Sequence, residues 1–121
     1  MIVRAFRMTL SPGCEAEYKK RHDALWPELG DALKDAGIRE YRIFLDPISH
    51  HLFAVMWLAD EHRVDALAQL PVMQHWWAYM ADLMDTNEDA SPVEVRLDEM
   101  FSLTAESLTA GSLTTGETPC R

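Results

Sequence analysis

From residue 2 to residue 10, apolar and polar side chains alternate, with Phe6, Met8 and Leu10 on one side and Arg7 and Thr9 on the other. That two-residue period predicts a half-buried strand. Ser11-Pro12-Gly13 punctuates the chain, and residues 15–25 have helical composition. Pro27 removes a backbone donor and restricts Trp26, but proline is tolerated in a helix's first turn. Residues 15–36 therefore read as one kinked helix or two abutting ones, stopping at Gly37. Residues 38–46 alternate again, grouping Tyr41, Ile43 and Leu45, and Asp46-Pro47 begins a turn that ends near His50. The apolar run 51–59 follows, so an antiparallel hairpin is the economical reading. Residues 60–84 read as helix divided by Pro71, with Met73, Trp77, Met80 and Met84 spaced as one buried face. After a loop at 87–92, residues 93–103 read as a last strand, with Val95, Leu97, Phe101 and Leu103 on one side.

The order β-α-β-β-α-β is the split β-α-β arrangement, an α+β fold with a four-stranded antiparallel sheet and both helical segments on one face. The other face is left bare. A domain of this size cannot expose a broad apolar sheet to water, so that face is expected to hold a ligand or meet a second subunit. Two such sheets face to face would close a dimeric α/β barrel.

The chain is 121 residues long, enough for one domain with a real core. Its boundary falls near residue 103, giving a domain over 1–103. Over 104–121 the sequence turns to Gly, Thr and a repeated Ser-Leu-Thr, a low-complexity tail expected to be disordered. The charge balance, 11 Lys plus Arg against 20 Asp plus Glu, repels phosphate backbones and anionic lipid, so neither nucleic acid nor membrane is an expected partner. No apolar run approaches the roughly 20 residues that cross a bilayer. Arginines interrupt residues 1–7, and the expected location is the cytoplasm. Cys14 and Cys120 lie near opposite ends without a C-x-x-C pair or a neighbouring histidine, which supports neither a disulfide nor a thiol nucleophile.

Aromatic and imidazole groups carry the candidate chemistry. Tyr18 and His22, four apart on a helix, have β-carbons roughly 5–6 Å apart and can serve one site. The same spacing suits a histidine packed on its own helix. Histidine is the natural acid or base near neutrality. Trp76 and Trp77 point about 100° apart on a helix, so a narrow core stripe cannot hide both, although a wide apolar face could. Aromatic faces suit the C–H groups of a sugar ring. Tyr41 is expected to project from the sheet face the helices leave free, or else to be a partly buried sheet tyrosine with its hydroxyl at the rim. His50 and His51 fall at a turn and are expected to be solvated; His62 and His75 lack a second ligand at metal spacing, so no metal site is expected.

Placed in order, these residues resemble the L-rhamnose mutarotase family over about residues 1–103. Glu17-Tyr18, Arg21-His22 and Trp26-Pro27-Glu28-Leu29 resemble its first-helix signature, residues 41–46 its second strand, and Trp76-Trp77-Ala78-Tyr79-Met80 with Ser91-Pro92 the remaining block. The resemblance implies a ferredoxin-like fold, a homodimer closing an α/β barrel, and interconversion of the α and β anomers of L-rhamnose without cofactor or metal. It puts His22 on the proton donor and Tyr18, Tyr41, Trp76 and Trp77 on sugar-binding positions. The tail after Leu103 departs from the family pattern. Two other readings stay open on the residues themselves: a cofactor-independent barrel enzyme, of monooxygenase or cyclase type, acting on a flat apolar substrate, and a non-catalytic sugar-binding module.

Overall fold

A computed structural model describes residues 1–105. In chain order the elements are strand β1 (Ile2–Thr9), helices α1 (Glu15–Asp23) and α2 (Pro27–Asp35), strands β2 (Ile38–Leu45) and β3 (His51–Leu58), helix α3 (Pro71–Met80) and strand β4 (Val95–Leu97). Short 3₁₀ turns at Val64–Gln69 and Ala81–Leu83 flank α3. The strands form one antiparallel sheet in the order β2-β3-β1-β4. The architecture is α+β, as expected.

Proline sets the helix starts. Pro27 and Pro71 each occupy the first turn of a new helix, and Trp26 and Leu70 before them are extended. Of the two readings for residues 15–36, two abutting helices is therefore correct. The second ends at Gly37, whose φ of +103° falls in the left-handed region. A Cβ there would stand 2.8 Å from the Cβ of His62, so the corner also needs glycine for close approach.

Register decides which side chains share a face, because directly paired residues project together. Phe6 pairs with Ala54, Met8 with Leu52 and Ile2 with Leu58 across β1 and β3; Tyr41, Ile43 and Leu45 pair with Met56, Ala54 and Leu52 across β2 and β3. The helices cover the face bearing Phe6, Met8, Leu52 and Ala54, all at most 4 % exposed, and Leu29 of α2 and Met73, Trp76 and Met80 of α3 complete the core. The opposite face carries Val3, Phe44 and Val95 with 43–55 % exposure, so the sheet is bare on that side.

Four expectations need correction. Tyr41 faces the helices, in the row with Met56 and Arg4, and not the free side. Residues 60–84 are not continuous helix around Pro71. Ala59 donates to the Gly37 carbonyl and Arg63 to that of Ala36, tying 59–63 to the α2 corner, and the six residues before extended Leu70 form only a 3₁₀ turn. On α3 the buried stripe is Met73, Trp76 and Met80, while Trp77 is only half-buried. The last strand is shorter than expected at both ends, Val95–Leu97, paired with Ala5, Phe6 and Arg7 of β1; it stops although Arg4, Val3 and Ile2 would continue the register opposite residues 98–100. Phe101 and Leu103 are exposed. The tail expected over 104–121 lies, from residue 106 on, outside the described residues, as does Cys120.

Candidate active site

Between the helices and the sheet lies a cavity of about 1390 Å³, lined by Tyr18, His22, Tyr41, Trp76 and Trp77 together with core side chains. All five candidate residues thus converge, from α1, β2 and α3.

The i,i+4 spacing on α1 stacks the rings of Tyr18 and His22, with centroids 4.3 Å apart and planes inclined by 32°. His22 Nδ1 lies 3.0 Å from the carbonyl oxygen of Tyr18. A carbonyl can only accept, so Nδ1 carries a hydrogen, and proton exchange is left to Nε2. Trp76 meets the His22 ring edge-on at 5.4 Å, with planes at 89°. The imidazole is thus gripped by a backbone oxygen, a phenol and an indole.

Electrostatics follow from enclosure. Burial pushes the His22 pKa below 6.5, opposed by the bond to the Tyr18 carbonyl and by the charge of Asp23. A lowered pKa makes the imidazolium a stronger acid and leaves the neutral Nδ1–H tautomer predominant at neutral pH. Burial also pushes the Tyr18 and Tyr41 phenols far up, aided for Tyr41 by the negative charge of Glu94. Both remain neutral hydroxyls that can donate and accept hydrogen bonds.

Some neighbours entered the sequence reading only as parts of motifs. Trp26 meets Trp76 edge-on at 5.1 Å and lies over Tyr79 at 5.4 Å, so an aromatic wall continues behind the site. Arg21 reaches Asp82 and the carbonyl of Tyr79. At another part of the wall Arg4, bonded to Asp65 at 2.9 Å, and Arg96 both act on the carboxylate of Glu94. No local spacing announces the two ion pairs, because Asp65 and Asp82 each lie 61 positions from their arginine.

An imidazole whose Nε2 has no hydrogen-bond partner among the described residues, neutral phenols and indole faces in one cavity define the class first: an α+β protein whose cavity can exchange a proton with a small uncharged molecule that has a C–H face. Comparison with known proteins narrows it. The sequence model of the L-rhamnose mutarotase family matches residues 4–103. An L-rhamnose mutarotase of Burkholderia orbicola (strain MC0-3) is 59% identical over 99 residues, covering 82% of this chain and 95% of the relative. One from Paraburkholderia phytofirmans is 52% identical over 103 residues, covering 85% and 96%. The crystal structure of an L-rhamnose mutarotase from Formosa agariphila superposes with a TM-score of 0.80 at 41% identity, covering 86% of this chain and all of that one. The chain belongs to the L-rhamnose mutarotase family, whose members are carbohydrate isomerases that interconvert anomers.

Proposed function

We propose that this protein interconverts the α and β anomers of L-rhamnose, with His22 as proton donor and Tyr18, Tyr41, Trp76 and Trp77 as the sugar-binding wall. The observation that carries the reading is His22 with its Nδ1 hydrogen committed to the Tyr18 carbonyl and its ring among aromatic rings, Nε2 having no hydrogen-bond partner among the described residues.

The chemistry conserves every atom. Imidazolium Nε2 gives its proton to the ring oxygen; the bond from that oxygen to the anomeric carbon breaks and its electron pair stays on oxygen. The anomeric hydroxyl loses its proton to water or a second acceptor, and its oxygen closes the aldehyde double bond. Rotation about the neighbouring C–C bond presents the other aldehyde face, and the reverse steps reclose the ring while Nε2 recovers its proton. Burial favours the neutral Nδ1–H imidazole left after donation. The indoles suit the C–H face of the sugar, and the neutral phenols suit its hydroxyls.

The proposal includes a ferredoxin-like domain over residues 1–103, supported by the strand order β2-β3-β1-β4. It also includes a homodimer, supported by the bare sheet face with Phe44 55 % exposed.

Exchange NMR between α and β L-rhamnose, with catalytic amounts of protein, tests the reading. Acceleration is expected, and His22→Ala should lose roughly 10²- to 10⁴-fold of it while keeping the fold. Unchanged exchange in the variant would eliminate His22 as the donor. No acceleration by the parent protein would overturn the activity.

A further inference from the structure

Helix α1 carries Tyr18 and His22, yet Tyr18 is its one buried residue, and the helix has no apolar stripe with which to seat itself on the sheet. One buried tyrosine cannot fix both the rotation and the height of a helix. The edge contact between His22 and Trp76 nonetheless spans α1 and α3, so something must hold those helices in register.

Arg21, next to His22, has the required geometry. Its side chain is 13 % exposed and its Nε donates to Glu17 Oε2, one turn back on α1, at 2.8 Å. Nη1 donates to the Tyr79 carbonyl at 2.7 Å and to Asp82 Oδ1 at 3.0 Å, and Nη2 reaches Asp82 Oδ2 at 3.4 Å. The guanidinium also lies 4.4 Å from the centre of the Tyr79 ring. Tyr79 lies in the last turn of α3, where carbonyls lack helical partners and the dipole favours a cation. Its ring touches Trp76 and Trp26. One end of the fork thus rides on the helix of His22, and the other on the segment just after Trp76 and Trp77. Only the planar, five-donor guanidinium can meet these acceptors together; a lysine ammonium cannot span them. Its hydrogen bonds to Asp82 first, then to Glu17, raise the Arg21 pKa further, so the clamp is charged at every working pH.

We propose that Arg21 is a positioning residue for the reaction, clamping α1 to the C-terminal end of α3 so that His22 Nε2 keeps its distance from the indole faces that hold the sugar. The inference rests on the mutarotase reading of the same cavity. It assigns Arg21 no contact with substrate, and the loss on its removal belongs to the geometry of the proton transfer.

The test measures α/β L-rhamnose exchange as a function of sugar concentration for Arg21→Gln, Arg21→Lys and Asp82→Ala, with His22→Ala alongside, and records the His22 ring C–H proton shifts in the parent and in the three variants that keep His22. Those protons lie in the ring currents of Tyr18 and Trp76, so they sense the helix register directly. Arg21→Gln is expected to lower kcat roughly 10- to 100-fold, the scale set by a displacement of about 1 Å, with a smaller change in KM. It should also move the His22 shifts, and Arg21→Lys should not restore either. Asp82→Ala should show the same pattern; because the Asp82 side chain is 66 % exposed, this variant decides the matter if the arginine variants fail to fold. Parental kcat and parental His22 shifts in the folded variants, with only thermal stability lowered, would overturn the proposal. Unchanged exchange in His22→Ala would instead overturn the donor assignment beneath it, so the two failures are separable.

Discussion

At the scale of the residue, the decisive quantity is the ionisation of His22. Its pKa in the folded protein lies below the usual 6.5 because burial disfavours the imidazolium. If the imidazolium is the donor, kcat/KM should fall as pH rises through that lowered value. A pH–rate profile that rises there would make His22 the base. Stability has the opposite slope. Below about pH 6.5 the unfolded chain binds the proton more readily than the folded one, so this group's contribution is complete above 6.5 and lost as pH falls through the folded pKa. Denaturant midpoints across that interval check the sign, and His22→Ala should flatten the slope. Tyr18 and His22 were legible in the sequence because one helix turn joins them, and the Trp76-Trp77 doublet because no single stripe hides two adjacent indoles. The face of Tyr41 was not legible: β2 carries Phe44 on one side and Tyr41, Ile43 and Leu45 on the other, and alternation alone does not say which side the helices choose. The clamping role of Arg21 was not legible, since only Glu17 among its acceptors is local and the others, Tyr79 and Asp82, sit 58 and 61 positions away.

At the scale of the element, start and stop signals predicted most boundaries, and the exceptions share one cause. β1, α2, β2 and β3 have local signatures: alternation, a proline in the first turn, a glycine at the end. The segment 59–63 and the short β4 are set by partners distant in sequence, the α2 corner for one and Ala5–Arg7 of β1 for the other. The α2 corner can be tested directly. Gly37→Ala adds a side chain at a positive φ and drives it into His62, and should cost about 1–3 kcal/mol for the backbone strain alone, read as a shifted urea midpoint. Because Ile38 opens β2 and Tyr41 lies three residues further on, the loss is expected to be accompanied by weaker sugar binding.

At the scale of the whole molecule, the sheet has one face sealed by helices and one open. If two open faces meet, the folded state gains from association, and its thermal midpoint should rise with protein concentration. Phe44→Lys, on the open face and away from the cavity, should shift sedimentation towards the monomer and remove the concentration dependence; a parent protein that sediments as a monomer at every concentration would exclude the homodimer. The four tryptophans divide along the same line. Trp57 pairs with Val3 on the open face, while Trp26, Trp76 and Trp77 surround or line the cavity. The molecule is therefore optically partitioned: emission from Trp57 reports burial of the sheet, and emission from Trp76, quenched when the imidazole edge against it becomes cationic, reports the charge on His22. A Trp57→Phe variant leaves the emission of the three cavity tryptophans, and the pH-dependent part of it that His22→Ala removes follows the titration of one histidine by light, without label or substrate.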